Sequence, residues 1–426
     1  MRARFALTTA ALDLLALAAS AQGASYLLFD TPLPWVAAQP YGSIFPLLGS
    51  LVLGAVVGSY VTFRSLSGVP RPSYGRALTI IGITLGLTAL FIVMARPFWS
   101  RSFLAWTFLL WTGLALAHRA VRRRRPWAEP MVLVTGEKAL ADDLLVSPHA
   151  AVVDVLDPSG PPPNGPPPPG STVVVDFRSL VSDEMARFVS SANLAGYRMA
   201  SLSRIYEDHT GRLPIVHLHE GWELTVPLER AGVYEEIKRL LDVVAVLVVT
   251  PLALVVGSVV AAAIRLNSPG PVIFRQRRVG RHGQPFTMYK FRTMLVHEES
   301  AASPYPQPED GRLTRVGRVV RRFRADELPQ LWNVLRGDVS LVGPRPEWER
   351  LADLYVESIP FYTFRQLVRP GITGWAQVNF GYADSEADVV DRLSYDLYYV
   401  KHMSPWLDLQ VLGRSIWTVL SGFGAK

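Results

Sequence analysis

Four apolar stretches fill the first 118 residues, at about Phe5–Phe29, Ile44–Phe63, Ala77–Ala95 and Ser102–Ala117. A bilayer core roughly 30 Å thick needs about 20 residues of helix, with roughly 17–25 usual. The first three stretches fit that length and the fourth sits at its short end. Buried helices of a soluble domain would show polar stripes, which these stretches lack. The expectation is a membrane protein whose residues 1–126 form a four-helix transmembrane bundle.

The first stretch also has the outline of a signal peptide, with Arg2 and Arg4 before it and small residues at Ala19–Ser20–Ala21. Asp13 inside it and three spans directly after it favour a retained helix. Asp13 is open to three readings: a functional intramembrane carboxylate, a snorkelling one, or one paired within the bundle. Orientation follows from basic residues in the short loops. Arg2 and Arg4, then Arg64, Arg71 and Arg76, then Arg119 and Arg122–Arg125 mark one side. Asp30–Gly42 has no basic residue, and the third connection has only Arg96 and Arg101. Both ends of the bundle are therefore expected in the cytosol, with the remaining chain beside them.

From Met131 the pattern becomes that of a soluble domain. MVLVTG, AAVVDVLD and STVVVDF read as buried strands, Asp183–Ala195 as a helix, and Ile215–Leu218 as a last strand. The alternation predicts a Rossmann-like α/β domain over 127–234. A dinucleotide site would need G-x-G-x-x-G after the first strand, and only Gly136 stands there, followed by Glu137 and Lys138. A structural or regulatory module is the reading. Pro158–Gly170 (PSGPPPNGPPPPG) is expected as a surface loop with polyproline character.

Val243–Ile264 is apolar again, but Thr250–Pro251 interrupts its centre. Lys238 and Arg239 precede it, and Arg265, Arg275, Arg277 and Arg278 follow. A full crossing would place one basic cluster outside, against the positive-inside bias. A proline removes one helical hydrogen bond and bends the segment, as entry and return on one face require. A re-entrant helix over 236–266 and a kinked fifth span are the two alternatives.

Ser268–Met294 concentrates Arg275, Arg277, Arg278, Lys290 and Arg292 among short strands. Nucleic-acid binding fits such charge, but no helix-turn-helix, RNP or zinc pattern accompanies it, and the chain has no Cys for thiol or Cys-ligated metal chemistry. Next come Arg318, Arg321, Arg322 and Arg324, then Asp326–Glu327 and Leu328–Pro329. Asp326 could simply cap a helix running through Leu331–Leu335 to Gly337. Beside so many arginines the carboxylates also suit phosphate chemistry. Arginine clamps phosphate, carboxylates hold Mg²⁺, and aspartate can attack phosphorus.

KFRTM (Lys290–Met294), DELPQLWNVLRGDVSLVGPRP (Asp326–Pro346), RPGITGWAQVN (Arg369–Asn379) and YDLYYVKHMSPWLDL (Tyr395–Leu409) resemble the bacterial sugar transferases. These are monotopic polyprenyl-phosphate phosphoglycosyl transferases that start exopolysaccharide, capsule or O-antigen assembly. The resemblance covers about 235–426, and the spans and insert before it look like the long form of that family. It implies an α/β catalytic domain over 235–426, with Thr250–Pro251 as the break of a re-entrant helix. Asp326 would be the nucleophile that releases UMP. Glu327 would support Mg²⁺ or deprotonate the lipid phosphate, and both carboxylates are expected metal ligands. Lys290, Arg292, Arg345 and Arg365 match basic positions near the diphosphate, and Asp396 matches the acidic residue of Tyr-Asp-Leu-Tyr-Tyr. Two departures are Arg324–Ala325 before the dyad, where Ser-Leu is usual, and Arg365–Gln366 in place of Arg-His. Trp406–Leu420 reads as an interfacial helix.

The reading is a multi-pass enzyme of the bacterial inner membrane that faces the cytosol. It transfers hexose-1-phosphate from a UDP-sugar to undecaprenyl phosphate with Mg²⁺, without a nucleic-acid partner and with a homodimer through the middle domain as a further expectation. Rivals are an ordinary glycosyltransferase that releases UDP, a membrane scaffold, and a transporter.

Overall fold

The computed structural model describes residues 2–37, 44–64, 73–95, 100–124, 128–215, 228–295, 313–380 and 386–421. The chain divides into two compact units, 1–129 and 130–426.

The four apolar stretches of the first unit are the helices α1 (Arg2–Phe29), α2 (Phe45–Arg64), α3 (Tyr74–Ala95) and α4 (Arg101–Arg123). Helix α1 packs along α4 and α2 along α3, with α3 also meeting α4. Gly54 permits one of these contacts, because a Cβ there would lie 2.9 Å from the Thr84 backbone. Outward residues such as Leu7, Leu53, Leu85 and Leu109 stay exposed, as a lipid-facing surface would be. Asp13 pairs within this unit. Arg119 grips both its carboxylate oxygens at 2.6 and 2.7 Å, and His118 Nε2 lies 2.9 Å from Oδ1. Asp13 and Arg119 are both buried.

The second unit opens with a four-stranded sheet in the order β2-β1-β3-β4. Its strands are β1 (Glu129–Val134), β2 (Ala150–Leu156), β3 (Thr172–Val175) and β4 (Arg198–Ser201). β3 runs parallel to both β1 and β4. Helices α5 (Lys138–Val146), α6 (Asp183–Leu194) and α7 (Leu202–Thr210) accompany them. The last strand of the sheet thus follows α6 directly. The strand expected at Ile215–Leu218 lies, beyond Ile215, outside the described residues. The Pro-rich loop is tied down at Pro167, whose carbonyl accepts from Tyr197 Oη at 2.6 Å.

Helix α8 (Leu228–Asn267) is one 40-residue element with Pro251 inside it. Thr250 Oγ1 donates to the Val246 carbonyl at 2.7 Å, a local bond one turn before the proline. The two parts of α8 differ sharply. Residues 234–242 face protein: Lys238 donates to Asp408 at 2.6 Å, Asp242 accepts from Ser340 Oγ at 2.6 Å, and Arg239 caps the carbonyls of Val334 and Leu335. Beyond Val243 most apolar side chains stand in the open, with Val248 75% and Leu252 67% exposed, while Val246 and Ile264 stay buried. Among the described residues five helices, this one included, are long and apolar enough to cross a membrane.

After α8 come the hairpin β5 (Ile273–Val279) and β6 (Pro285–Phe291), then α9 (Arg315–Arg322) and α10 (Gln330–Arg336). The parallel pair β7 (Ser340–Val342) and β8 (Gly371–Thr373) frames α11 (Glu349–Ser358) in sequence, and α12 (Trp375–Asn379), α13 (Glu386–His402) and α14 (Pro405–Ser421) finish the chain. Gly343, Gly371 and Gly374 meet backbone to backbone at this junction, and a Cβ on Gly371 would fall 2.1 Å from the Gly343 nitrogen. Helix α13 is shared between the middle sheet domain and the remainder. Lys401 donates to Glu207 at 2.8 Å, Leu213 N–H to the Ser394 carbonyl at 2.9 Å, and the Arg212 guanidinium lies over the Tyr395 ring. In α14, Leu407 and Val411 are buried while Leu409 and Ile416 are exposed, so only one face of the helix expected at an interface is open.

Candidate active site

The Asp326–Glu327 pair does not cap a helix. It sits on a 3₁₀ turn, Ala325–Glu327, entered through Arg324 in the left-handed region at φ 51°. Leu328 and Pro329 hold right-handed geometry and lead into α10, which ends at Gly337 with φ 90°. Asn333 fixes α10 to the hairpin. It is fully buried, accepts from Tyr289 N–H at 3.2 Å, and donates to the Thr287 carbonyl at 2.8 Å. That anchor places the dyad next to Lys290, the following residue of β6.

Three cations converge on one oxygen of Glu327. Arg345 lies 3.2 Å from Oε1, Lys290 3.5 Å and Arg324 3.9 Å. Burial alone would raise the Glu327 carboxyl, but Arg345, Lys290 and Arg324 overcome it and hold it below the usual carboxylate range. Asp326 goes the other way. Burial and the adjacent Glu327 charge push it up, against Lys290 and Arg321. Burial, with help from Arg345, brings Lys290 down to about 8 against the pull of both carboxylates. Among the described residues Asp326 makes no ion pair of its own. Two neighbouring carboxylates thus have opposed environments, one neutralised and one available.

The remaining residues expected at a diphosphate are placed differently. Arg292 donates to the Pro269 and Ser268 carbonyls at 2.7 and 2.9 Å, tying the end of β6 to the segment after α8. Arg365 and Asp396 are both buried and bind each other at 2.7 Å. Arg365 also donates to the Arg345 carbonyl at 2.8 Å and to Tyr362 Oη at 2.8 Å. Glu347 completes this layer, 2.7 Å from Arg392 and 3.6 Å from Arg278. Arg345 therefore stands between two layers, its side chain on Glu327 and its backbone on Arg365. Sequence reasoning passed over Asn333 and Glu347. Asn333 lies inside the motif that bears the dyad, and Glu347 follows the Gly-Pro-Arg-Pro run directly.

The arrangement suits an anionic phosphoryl group: guanidinium and ammonium donors gather on one carboxylate of the dyad, and the other has no ion pair among the described residues. Residues 233–422 match the family described as bacterial sugar transferase. The chain is 43% identical over 255 residues to a UDP-N-acetylgalactosamine-undecaprenyl-phosphate N-acetylgalactosaminephosphotransferase of Aeromonas hydrophila, over 60% of each chain. It is 44% identical over 197 residues to a UDP-glucose:undecaprenyl-phosphate glucose-1-phosphate transferase of Caulobacter vibrioides, covering 46% of this chain and 73% of that one. With the Escherichia coli protein of the same description it shares 39% over 216 residues, 50% of this chain and 44% of the relative. The chain belongs to the bacterial sugar transferase family.

Proposed function

We propose that this protein transfers a sugar-1-phosphate from a UDP-sugar to undecaprenyl phosphate at the cytosolic face of a bacterial inner membrane, as the first membrane step of exopolysaccharide or O-antigen assembly. The named activities of the relatives support the substrates, and the apolar helices support the membrane. The observation that carries the reading is the asymmetry of the dyad. Glu327 is held by three cations, while Asp326 beside it has no ion pair among the described residues.

In this reading an Asp326 carboxylate oxygen attacks the sugar-bearing phosphorus, the P–O bond to the nucleotide breaks, and UMP leaves with its electron pair. A phosphate oxygen of undecaprenyl phosphate then attacks the phospho-sugar aspartate and restores the free carboxylate. Lys290 and Arg345 neutralise charge on the diphosphate. Arg365 and Asp396 serve by holding the backbone of Arg345, and Arg292 by fixing the end of β6. A hard oxygen pair fits Mg²⁺, which takes one or two carboxylates together with substrate phosphates. Asp326 and the second oxygen of Glu327 would hold it, and it would supply charge neutralisation at the diphosphate. Thr250–Pro251 turns α8 back to the cytosolic face, since Pro251 leaves the Leu247 carbonyl without its helical donor. The reading includes a homodimer through the middle domain, whose edge strand β2 exposes Val153 and Val155.

The test uses purified full-length protein, Mg²⁺, and UDP-glucose or UDP-N-acetylgalactosamine without lipid. A burst of one UMP per enzyme is expected, and Asp326→Asn removes it. Release of UDP would instead identify an ordinary glycosyltransferase. UMP formed only with undecaprenyl phosphate would mean direct attack by the lipid.

A further inference from the structure

Gln330 lies one turn beyond the dyad and is 3% exposed, yet among the described residues its side-chain nitrogen Nε2 has no hydrogen-bond partner. A buried amide donor left unpaired costs free energy, so such groups in native proteins call for an explanation. Its surroundings are fixed on both sides. Helix α10 buries Gln330, Asn333 and Val334 on one face. Asn333 meets Thr287 and Tyr289 of β6, and Glu327 meets Lys290 of the same strand. Gln330 lies between these two contacts, beside the end of β6. The chain between them turns tightly, with Leu328 N–H bonded to the Ala325 carbonyl and Leu331 N–H to the Leu328 carbonyl, so Gln330 opens α10 directly after the turn that bears Asp326. Helical side chains lean toward the N-terminus, which carries the Gln330 amide back over the turn bearing Asp326.

We propose that the Gln330 amide is a substrate-contacting donor, its N–H groups receiving a phosphoryl oxygen of the group seated at Asp326. This deepens the phosphoryl-transfer reading and rests on it for the identity of the ligand. An amide suits the position because it donates without adding charge beside a carboxylate that must stay nucleophilic. A further lysine or arginine there would pair with Asp326 and quench it. The stranded donor also gives the site a preference for the loaded state, in which it gains a partner.

The experiment separates this from the covalent mechanism. In the Asp326→Asn background, where no bond is made, the dissociation constant for UDP-glucose or UDP-N-acetylgalactosamine is measured by calorimetry with and without Gln330→Met. A lost hydrogen bond to a charged phosphate predicts weakening of about tenfold to a hundredfold. Thermal unfolding of the substrate-free protein should be unchanged or raised, because methionine fills the space without an unpaired donor. In the otherwise native chain, Gln330→Met should slow UMP formation and Gln330→Glu should slow it further, by setting a carboxylate against the phosphate. Unchanged affinity would overturn the proposal and leave a donor served by water. A fall in melting temperature with unaltered affinity would do the same and make Gln330 a packing residue. Direct attack by the lipid, without a covalent aspartate, would leave the affinity change in place, so the two ideas fail separately.

Discussion

Arg365 places a guanidinium N–H 2.8 Å from the carbonyl oxygen of Arg345, and the same nitrogen lies 2.7 Å from Asp396. A buried charge here acts on a backbone atom, while the side chain of that residue reaches forward to Glu327 at 3.2 Å. The position of one cation at the dyad thus depends on an ion pair behind it.

Asp396→Asn tests that dependence. It removes the nearer of the two carboxylates at Arg365 and leaves Glu347 at 3.9 Å, for a cost of up to roughly 3–5 kcal/mol. Thermal unfolding of substrate-free protein should fall clearly, and turnover should fall with it as Arg345 loosens. A residue that only touched substrate would leave the unfolding temperature in place.

Glu327→Gln removes the shared counter-charge of Lys290, Arg324 and Arg345. The expected outcome is a loss of lipid-acceptor turnover of about 10²–10⁴-fold, the range of a lost acid–base or electrostatic group. UDP-sugar affinity should rise, since three cations are then free to meet the diphosphate. Equilibrium binding read beside steady-state rates separates the two effects.

Lys290 provides the pH dependence. Its folded value near 8 lies below its ordinary 10.5. Between those limits the unfolded chain holds a proton that the folded chain has released, so stability rises with pH across that window. In chelator-treated, substrate-free protein, amine-selective labelling of Lys290 should reach half its maximum near pH 8. Half-labelling near 10.5 would refute the burial effect.

Asn333→Leu should destabilise without touching substrate. It strands the Tyr289 N–H and the Thr287 carbonyl, at roughly 1–3 kcal/mol for each group left unpaired. Because those bonds set the dyad against Lys290, activity measured per folded molecule should also drop. Denaturant titration beside the UMP burst reads both.

Topology is testable because the chain has no cysteine. Glu236→Cys and Asn267→Cys bracket the apolar part of α8, and a re-entrant helix predicts labelling of both from the cytosol alone. Labelling of Asn267→Cys from outside would make α8 a full crossing.

Much of this was legible in the sequence because its signals are contiguous. Apolar stretches of bilayer length announce helices, and the Asp326–Pro346 motif holds dyad, anchor and Arg345 within one short run. Composition shows that Arg365 and Asp396 are charged but not that they face each other across 31 residues. That pairing exists only once the 3₁₀ segment Tyr362–Leu367 and α13 are packed together. Arg292 reads as a phosphate ligand by the same logic, and only tertiary structure shows its two terminal nitrogens bonded to Ser268 and Pro269. Strand β4, with the sequence Arg-Met-Ala-Ser, has no β-branched residue, and its pairing to β3 decides its state. Gln330 gives no signal by itself, because an unpaired donor is a property of surroundings.

Helix α8 unites a polar portion locked by Lys238, Arg239 and Asp242 with an apolar portion whose side chains are mostly exposed. Being continuous through Pro251 in one element, it behaves as a screw thread between the catalytic body and the lipid. Each added residue would advance that thread by about 1.5 Å and turn it by about 100°. One insertion at Val243 would therefore swing the apolar portion out of alignment while leaving every catalytic side chain chemically intact. Roughly a full turn of added residues would restore the heading but at a new depth. In the proposed reaction, reach toward a lipid-borne phosphate would thus depend on chain length as well as on chemistry.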